Sequence, residues 1–600
     1  MNKLNFLRKK LDKDKLDGMV IPMSDPFQNE FIPEYYQRVK YLSGFTGSLG
    51  TIIVLKDKAC LFVDGRYTLQ AQKEIDSTLF EINSYGVDSM LKWVLTKTKG
   101  KKITLGYDAW DYTVTQLQKL KSKEESIIFK PIKKNPIDEL WEDQPKISKT
   151  KIFLYPEKYA GLSWREKVKA ISGEIKKKQL DAIFLTSSIS VCWLLNIRGK
   201  DVPFTPVSLC YALVHKSGKI DLFTYLENLT SKIKKHFLGQ VTFHKMSGED
   251  LITVLPKLVQ GLKIGYTEHQ APIQIKKIIE SSAASLKHVE DPCVFLRALK
   301  TKVEIANTQK AHIWDGVALV NFFHWLQITI DVERITEYDA TIKINQFRTE
   351  NKNCKGLSFP TIAAANQNAS IVHYHADKEC LTLKPKDLFL CDSGGQYFEG
   401  TTDVTRTVCL GNESPTAKQK NLFTRVLKGL ISLSSIRFPT GTTGSQLDVL
   451  ARQYLWEVGL DYAHSTGHGV GQYANVHEGP HNISWRPSTV PLLPGMVVSN
   501  EPGCYLNGEF GIRTENLMFV TETNQKDFSG NQLLSFETLT LCPIDQACID
   551  LSLLNQKEVT WINDYHQKVW KELCKFLNPA QREWLKRATQ PLKMPTMIQS

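Results

Sequence analysis

Asp392, Asp403, His468, Glu501 and Glu515 are the residues of this chain whose types and surroundings could do chemistry together. Asp392 closes the apolar run at 388–391 and stands just before Gly394-Gly395; Asp403 lies in the β-branched stretch 401–408. Both read as inward-facing strand residues. Two carboxylates in a mostly apolar surround cannot both stay ionised unless cations compensate them, so the pair is either a proton-sharing dyad or half of a metal cage. Of the 14 histidines, six fall between His373 and His481, and His468 is flanked by Gly467 and Gly469, which allow close backbone approach. Glu501 follows an apolar strand at 496–499 and precedes Pro502-Gly503; Glu515 reads as part of a strand that begins at Gly511. Taken singly, each acid is an ordinary surface carboxylate. Two aspartates, two glutamates and an imidazole together make four negative charges, which two divalent cations neutralise, and this favours the cage over the dyad. Oxygen-dominated ligation favours Mn²⁺, with Co²⁺, Zn²⁺ and Fe²⁺ compatible. Paired ions can share a bridging water and lower its pKa toward neutrality.

The elements that must position these residues can be read around them. Residues 16–22 and 180–186 each look like a helix end feeding a short buried strand, and paired strand runs follow at 51–54 with 59–63 and at 210–214 with 220–224. The segment 41–47 is echoed by 193–199, so the first half of the chain reads as two similar α/β units. A long helical pattern at 299–330 opens a third region, in which helices such as 417–436 alternate with strands such as 496–500 and 517–521. That mixture predicts an α+β domain after a pair of α/β domains. The predicted divisions are 1–147, 148–302 and 303–600, with a C-terminal extension from about 541.

At 600 residues the chain exceeds one hydrophobic core, and 42% hydrophobic with 23% charged residues is ordinary for a soluble globular protein. The net charge of +13 sits in lysine strings such as 121–134 and 176–178, which read as solvated helical faces. Arginine and aromatic residues are not interleaved along one face, so no nucleic-acid partner is expected. The 12 cysteines are scattered singles, with Cys60, Cys210, Cys391 and Cys409 in apolar runs, which predicts buried thiols in a reducing compartment. Without a signal-peptide h-region or an apolar run approaching a membrane span, a cytoplasmic protein with no membrane partner is expected.

The blocks DSGGQYFEGTTDVTRT, HSTGHGVG, VHEGP, NEPGCY and GIRTEN resemble the five sequence blocks of the pita-bread metallopeptidases. Within that fold family the chain is similar to the long, three-domain, cytosolic-type Xaa-Pro aminopeptidases (aminopeptidase P). SDPFQNEFIP, SGFTGSLGT and VDGRYTLQA resemble the first creatinase-like domain, NIRGKDVPFTPV the second, and the ending the C-terminal extension of the long form. The resemblance implies that Asp403 and Glu515 bridge two metal ions, that Asp392 serves one, and that His468 and Glu501 serve the other. It implies that Glu501 orients or deprotonates a hydroxide-forming water bridging the ions, and that His477 stabilises the oxyanion. It further implies that His373 lies near the leaving nitrogen, that His464, Tyr505 and Arg513 line or support a proline pocket, and that Arg66 takes part in peptide binding. Peptides with proline in second position are the implied substrates and a homodimer the implied assembly. Ser465, Asn500 and Cys504 depart from the usual pattern, and Asn500 in place of an aspartate removes a charge beside the implied ligands. A prolidase limited to dipeptides is the near alternative. A catalytically inactive pita-bread protein that binds peptides or histones would be expected to have lost ligands that are all present here.

Overall fold

The computed structural model describes residues 3–147, 150–411 and 414–594, so the start of the second expected domain, 148–149, lies outside the described residues. The chain forms two compact units, one of residues 1–157 and 162–293, the other of residues 158–161 and 294–600.

Among the described residues, the first unit holds two six-stranded sheets with the same strand order. In the first sheet, Gly18–Pro22 pairs antiparallel with Thr51–Leu55 and parallel with Ile103–Tyr107. In the second, Ala182–Leu185 takes the same place, antiparallel to Cys210–His215 and parallel to Lys263–Tyr266. The hairpins 51–63 and 210–224 extend each sheet on one side. The central strands are buried along nearly their whole length, as expected where helices cover both faces. The lysine string 121–134 departs from expectation. It runs from the end of the helix Val114–Lys121 into the edge strand Ile127–Pro131 rather than along one helical face. Its lysines are exposed all the same, and lysine on an edge strand discourages pairing with another sheet.

The second unit contains a 28-residue helix, Lys302–Thr329, whose start is fixed by a reciprocal cap between Thr301 and Glu304. Three antiparallel strands, Ile362–Ala365, Leu388–Ser393 and Val404–Cys409, form the sheet that carries the aspartate region. A second sheet aligns Val497–Asn500 with the long strand Asn516–Lys526. The C-terminal extension is integral to this unit. Ile544, Val559, Ile562, Val569 and Leu573 share one core with Leu422, Val426, Leu427 and Leu430 of the helix Ala417–Ser435. Arg406, 1% exposed, bonds the carbonyls of Cys542 (2.7 Å) and Pro543 (3.1 Å) in that extension. It also bonds the carbonyl of Glu515 (2.6 Å).

All twelve cysteines are free thiols. Cys60, Cys210 and Cys391 are buried as expected, whereas Cys409, at the end of its strand, is only partly so.

Below the aspartate sheet, Arg348 is fully buried and holds both carboxylate oxygens of Asp315 (2.7 and 3.1 Å), and Tyr397 donates to the same acid at 3.0 Å. Removing one partner of such a pair strands a charge in the interior, at a cost of about 3–5 kcal/mol, whereas removing both is far milder. Asp315→Leu should therefore lower the unfolding free energy by that order in urea titrations. Adding Arg348→Met should restore most of the loss, and a double variant as unstable as the single one would contradict this account.

Candidate dinuclear metal site

Strand ends and chain breaks deliver the acidic side chains to one place. Asp392 lies on Leu388–Ser393 opposite Thr405 of the neighbouring strand. Asp403 stands in the break before Val404–Cys409. Glu515 does not lie on the strand expected for it. It occupies the break between Phe510–Arg513 and Asn516–Lys526, with its amide bonded to the Thr405 carbonyl at 3.1 Å. Glu501 directly follows Val497–Asn500, and its amide is tied to the Thr466 carbonyl at 2.8 Å. His468 comes in on the short strand Gly467–His468, its amide bonded to Ser499 Oγ at 2.9 Å. Gly467 makes that approach feasible: a Cβ there would lie 1.9 Å from the Ser499 carbonyl oxygen.

Ligand atoms of Asp403, His468 and Glu515 lie within 4.8 Å of one another. His468 Nε2 is 3.4 Å from Asp403 Oδ2 and 3.4 Å from Glu501 Oε1. Arg513 Nη2 holds Asp392 Oδ2 at 2.7 Å, so one fixed cation already sits beside the four acids. Burial, followed by repulsion from Asp403, Glu501 and Asp392, raises Glu515 well above the ordinary carboxylate range. Burial and Asp403 outweigh His468 at Glu501 and push it up to about 7. Burial and Asp403 raise Asp392 despite Arg513. At His468 the burial effect is reversed by Asp403 and Glu501, which raise the imidazole to about 9. Left to itself, the cluster relieves its repulsion by holding protons.

Asp392 Oδ1 and Glu515 Oε1 are buried and without a hydrogen-bond partner among the described residues. Orphaned carboxylate oxygens are costly in an interior, and they are the groups a cation would satisfy. The donor set, carboxylate oxygens with one imidazole, fits hard or borderline divalent ions. The residues therefore fit a metal centre.

A polar chain leads outward from it. Arg513 Nη1 donates to Tyr505 Oη (2.7 Å), which leaves the phenol proton to His464 Nε2 (2.8 Å) and the His464 Nδ1–H to the Ser465 carbonyl (2.8 Å). His477 is exposed, with its ring 4.3 Å from that of His468 and nearly perpendicular to it. Its neighbour Glu478 is buried between Lys300 (2.9 Å) and Arg297 (3.1 Å), which fixes the segment. His373 is half-buried in the irregular stretch after the turn Asn366–Ser370. Arg66 belongs to the first unit and pairs there with Asp64 at 2.7 Å. Asn500, read as a charge lost beside the ligands, faces neutral partners in the structure. Its amide donates to the Leu430 carbonyl (2.9 Å) and to Ser434 Oγ (3.0 Å), a setting in which a carboxylate would meet a carbonyl oxygen.

Three participants were not picked out from the sequence. Thr405 Oγ1 donates to Glu515 Oε2 (2.9 Å) and accepts from Arg513 Nε (3.1 Å), while Ser499 Oγ donates to Glu501 Oε1 (3.1 Å). Each lies two residues from an acid in a strand-like run, and period-two alternation could have found both. Arg452, 2% exposed on the helix Gly444–Trp456, bonds the carbonyls of Tyr462 (2.7 Å) and His464 (2.8 Å). Its i,i+4 spacing from Asp448 on the same helix is the one local sign of it.

Thr405→Val keeps the shape and deletes the hydroxyl that orients Glu515. Partners of this kind typically set metal affinity by roughly 10–100-fold. Titration of metal-free protein with Mn²⁺ should show a loss of that order, and an unchanged affinity would remove Thr405 from the site.

The profile of metallopeptidase family M24 matches residues 306–522, and that of the C-terminal region of peptidase M24 matches 532–592. The creatinase/prolidase N-terminal domain matches twice, at 3–140 and 143–304. A probable Xaa-Pro aminopeptidase P of Aspergillus niger is 37% identical over 612 residues, covering 98% of this chain and 98% of its own. The X-prolyl aminopeptidase of Caenorhabditis elegans, described as a cytosolic enzyme with a di-nuclear active site, matches with a TM-score of 0.92. Its identity is 31%, over 98% of this chain and 99% of that one. The prolidase of Pyrococcus horikoshii, at 25% identity and a TM-score of 0.50, covers 63% of this chain and 99% of its own. The chain belongs to metallopeptidase family M24, among its Xaa-Pro aminopeptidase P members.

Proposed function

We propose that the chain is a metal-dependent aminopeptidase that cleaves between an N-terminal residue and a following proline. The observation that carries this reading is the gathering of four acids and His468 around orphaned carboxylate oxygens. It is supported by full-length similarity to proteins named Xaa-Pro aminopeptidase P. Asp403 and Glu515 would bridge two divalent ions, Asp392 completing one site and His468 with Glu501 the other. Mn²⁺ is the proposed metal, with Co²⁺, Zn²⁺ and Fe²⁺ compatible with the same donors. Bound there, the ions supply a Lewis acid for the scissile carbonyl and a water of lowered pKa.

The chain's own groups perform the remaining work. Asp392 and Asp403 anchor the free α-amine, which restricts cleavage to one residue from the end. Glu501, steadied by Ser499, accepts the proton of the attacking water at its carboxylate. His477 presents its exposed ring to the carbonyl oxygen as charge develops there. Proline's nitrogen carries no proton in the peptide and must gain one to leave. Glu501 can return the proton it took, with His373 beside that nitrogen. His464 and Tyr505 form the wall against which the proline ring rests, their orientation fixed through Arg513. Arg66 contributes to holding the rest of the peptide.

We also propose three domains, 1–147, 148–302 and 303–600, the last with an extension from about 541. The protein is proposed to be a cytoplasmic homodimer acting on peptides, with no nucleic-acid or membrane partner. No helix among the described residues is long and apolar enough to cross a membrane.

Chelation should abolish release of the first residue from Xaa-Pro-Pro, and added Mn²⁺ should restore it. Glu501→Gln should lower kcat by roughly 10²–10⁴-fold. Equal rates on Xaa-Pro-Pro and Xaa-Ala-Ala would sink the proline specificity. Turnover of Xaa-Pro dipeptides alone would identify a prolidase, and binding without turnover an inactive member of the fold.

A further inference from the structure

His373 lies in a stretch, residues 371–387, that contains neither helix nor strand, between the turn Asn366–Ser370 and the strand Leu388–Ser393. Its far end is pinned by an isolated bridge of Thr382 with Thr336 and by the Leu383 amide on the Ile335 carbonyl (2.8 Å), but the part around His373 needs another source of order before a side chain there can act on a fixed atom. That source is Glu337. It is the first residue of the helix Glu337–Thr349 and is fully buried. Oε1 accepts from the Ala365 amide at 2.6 Å. Oε2 accepts from Asn368 Nδ2 (2.9 Å), from Tyr374 Oη (2.7 Å) and from the Leu381 amide (3.0 Å). The Glu337 amide in turn donates to the Leu381 carbonyl at 3.0 Å. A single carboxylate thus ties the chain before His373, immediately after it, and again where the loop returns.

No salt bridge to Glu337 occurs among the described residues, so this is a buried charge held by neutral donors and a helix N-terminus. Such an arrangement is expensive for packing alone, since an apolar residue would fill the space without desolvating a charge. The tether is anchored to the site on both sides. Ile362, on the strand that ends at Ala365, is the register partner of Asp392. The turn 366–370 lies so close against the strand of Arg513 that a Cβ on Gly511 would come within 1.8 Å of the Ala369 carbonyl oxygen. The Tyr374 ring packs on Ile362, Ala364, Ala369 and Leu390, leaving its hydroxyl for Glu337 and for Asn368 Nδ2 (3.0 Å). We propose that Glu337 and Tyr374 are positioning residues that hold His373 in register with the metal ligands, a role that rests on the reading of His373 as the group beside the leaving nitrogen.

Glu337→Ala strips four donors of their acceptor at once and would disturb the fold itself, so the decisive variant is Tyr374→Phe, which removes one hydroxyl and keeps the packed ring. It is compared with His373→Ala and with the double variant, each with metal content verified, by kcat and KM on a Xaa-Pro-Pro peptide. Tyr374→Phe alone should lower kcat by about 10-fold with KM and metal content unchanged, because misplacement of a reacting group acts on the transition state. In the His373→Ala background the same substitution should cost less than about 2-fold, since residues acting through one another are not additive. Equal losses in both backgrounds, with His373→Ala itself impaired, would overturn the positioning role and leave His373 in place. A His373→Ala enzyme with undiminished kcat would instead overturn the role of His373, and the positioning role with it.

Discussion

Four acids crowded into an interior repel one another, and the second compact unit is built around keeping them together. Arg513 and His468 oppose that repulsion directly, Arg513 at 2.7 Å from Asp392 and His468 at 3.4 Å from both Asp403 and Glu501. They do not suffice. Glu515, Glu501 and Asp392 all hold their protons more tightly than free carboxylates. Divalent ions would take the place of those protons, so the energy stored in the crowding becomes affinity for cations instead of a liability for folding.

What restrains the crowding is a set of buried guanidiniums that bond mainly to carbonyl oxygens and neutral acceptors. Arg406 reaches the Glu515 carbonyl, Asn516 Oδ1, Tyr565 Oη and the Cys542 and Pro543 carbonyls, and so ties the C-terminal extension to the acid that its own strand neighbours. Arg452 fixes the Tyr462 and His464 carbonyls and, through Asp448 (2.6 Å), the Thr466 hydroxyl (2.6 Å to Asp448), whose residue also seats the Glu501 amide. Arginine suits this work because its planar fork serves several acceptors at once and stays charged when buried. The loop of His464 and the acid at 501 are thereby positioned by one side chain that touches neither of their reactive atoms.

Much of this was legible in the sequence, and the reasons differ by residue. The strand of Asp392 was readable because an apolar run ending in Gly-Gly has one natural interpretation. The doubling of the α/β unit was readable because the same helix-to-strand step and the same hairpin occur twice, and the two sheets share one pairing order. Asp403 and Glu515 were assigned to strands, yet both occupy breaks between them. The reason is geometric: a regular strand, such as that of Asp392, alternates its side chains across a sheet, whereas an interrupted one can also turn a carboxylate toward a neighbour's edge. Arg452 pairs with Asp448 four residues back on its own helix, a spacing open to local reading. Its reach to the Tyr462 and His464 carbonyls, and all the partners of the Glu337 carboxylate, lie on other elements, where spacing along the chain carries no trace. Asn500 reads in the sequence as a lost charge, and the structure adds that its amide donates to the Leu430 carbonyl.

The neighbour of Asp392 on its strand is Cys391, a thiol that burial pushes up to about 12 and that packs with Phe322, Phe389 and Cys542 on the opposite side of the sheet. Successive residues of a strand swap sides, so a slip of a single position against Ile362–Ala365 would exchange these two residues. A soft sulfur would then face the cage and a carboxylate would enter an aromatic core. The register that sets Ala363 opposite Cys391 and Ile362 opposite Asp392 thus selects the metal as well as the fold, by deciding which of two adjacent atoms, sulfur or oxygen, any ion encounters.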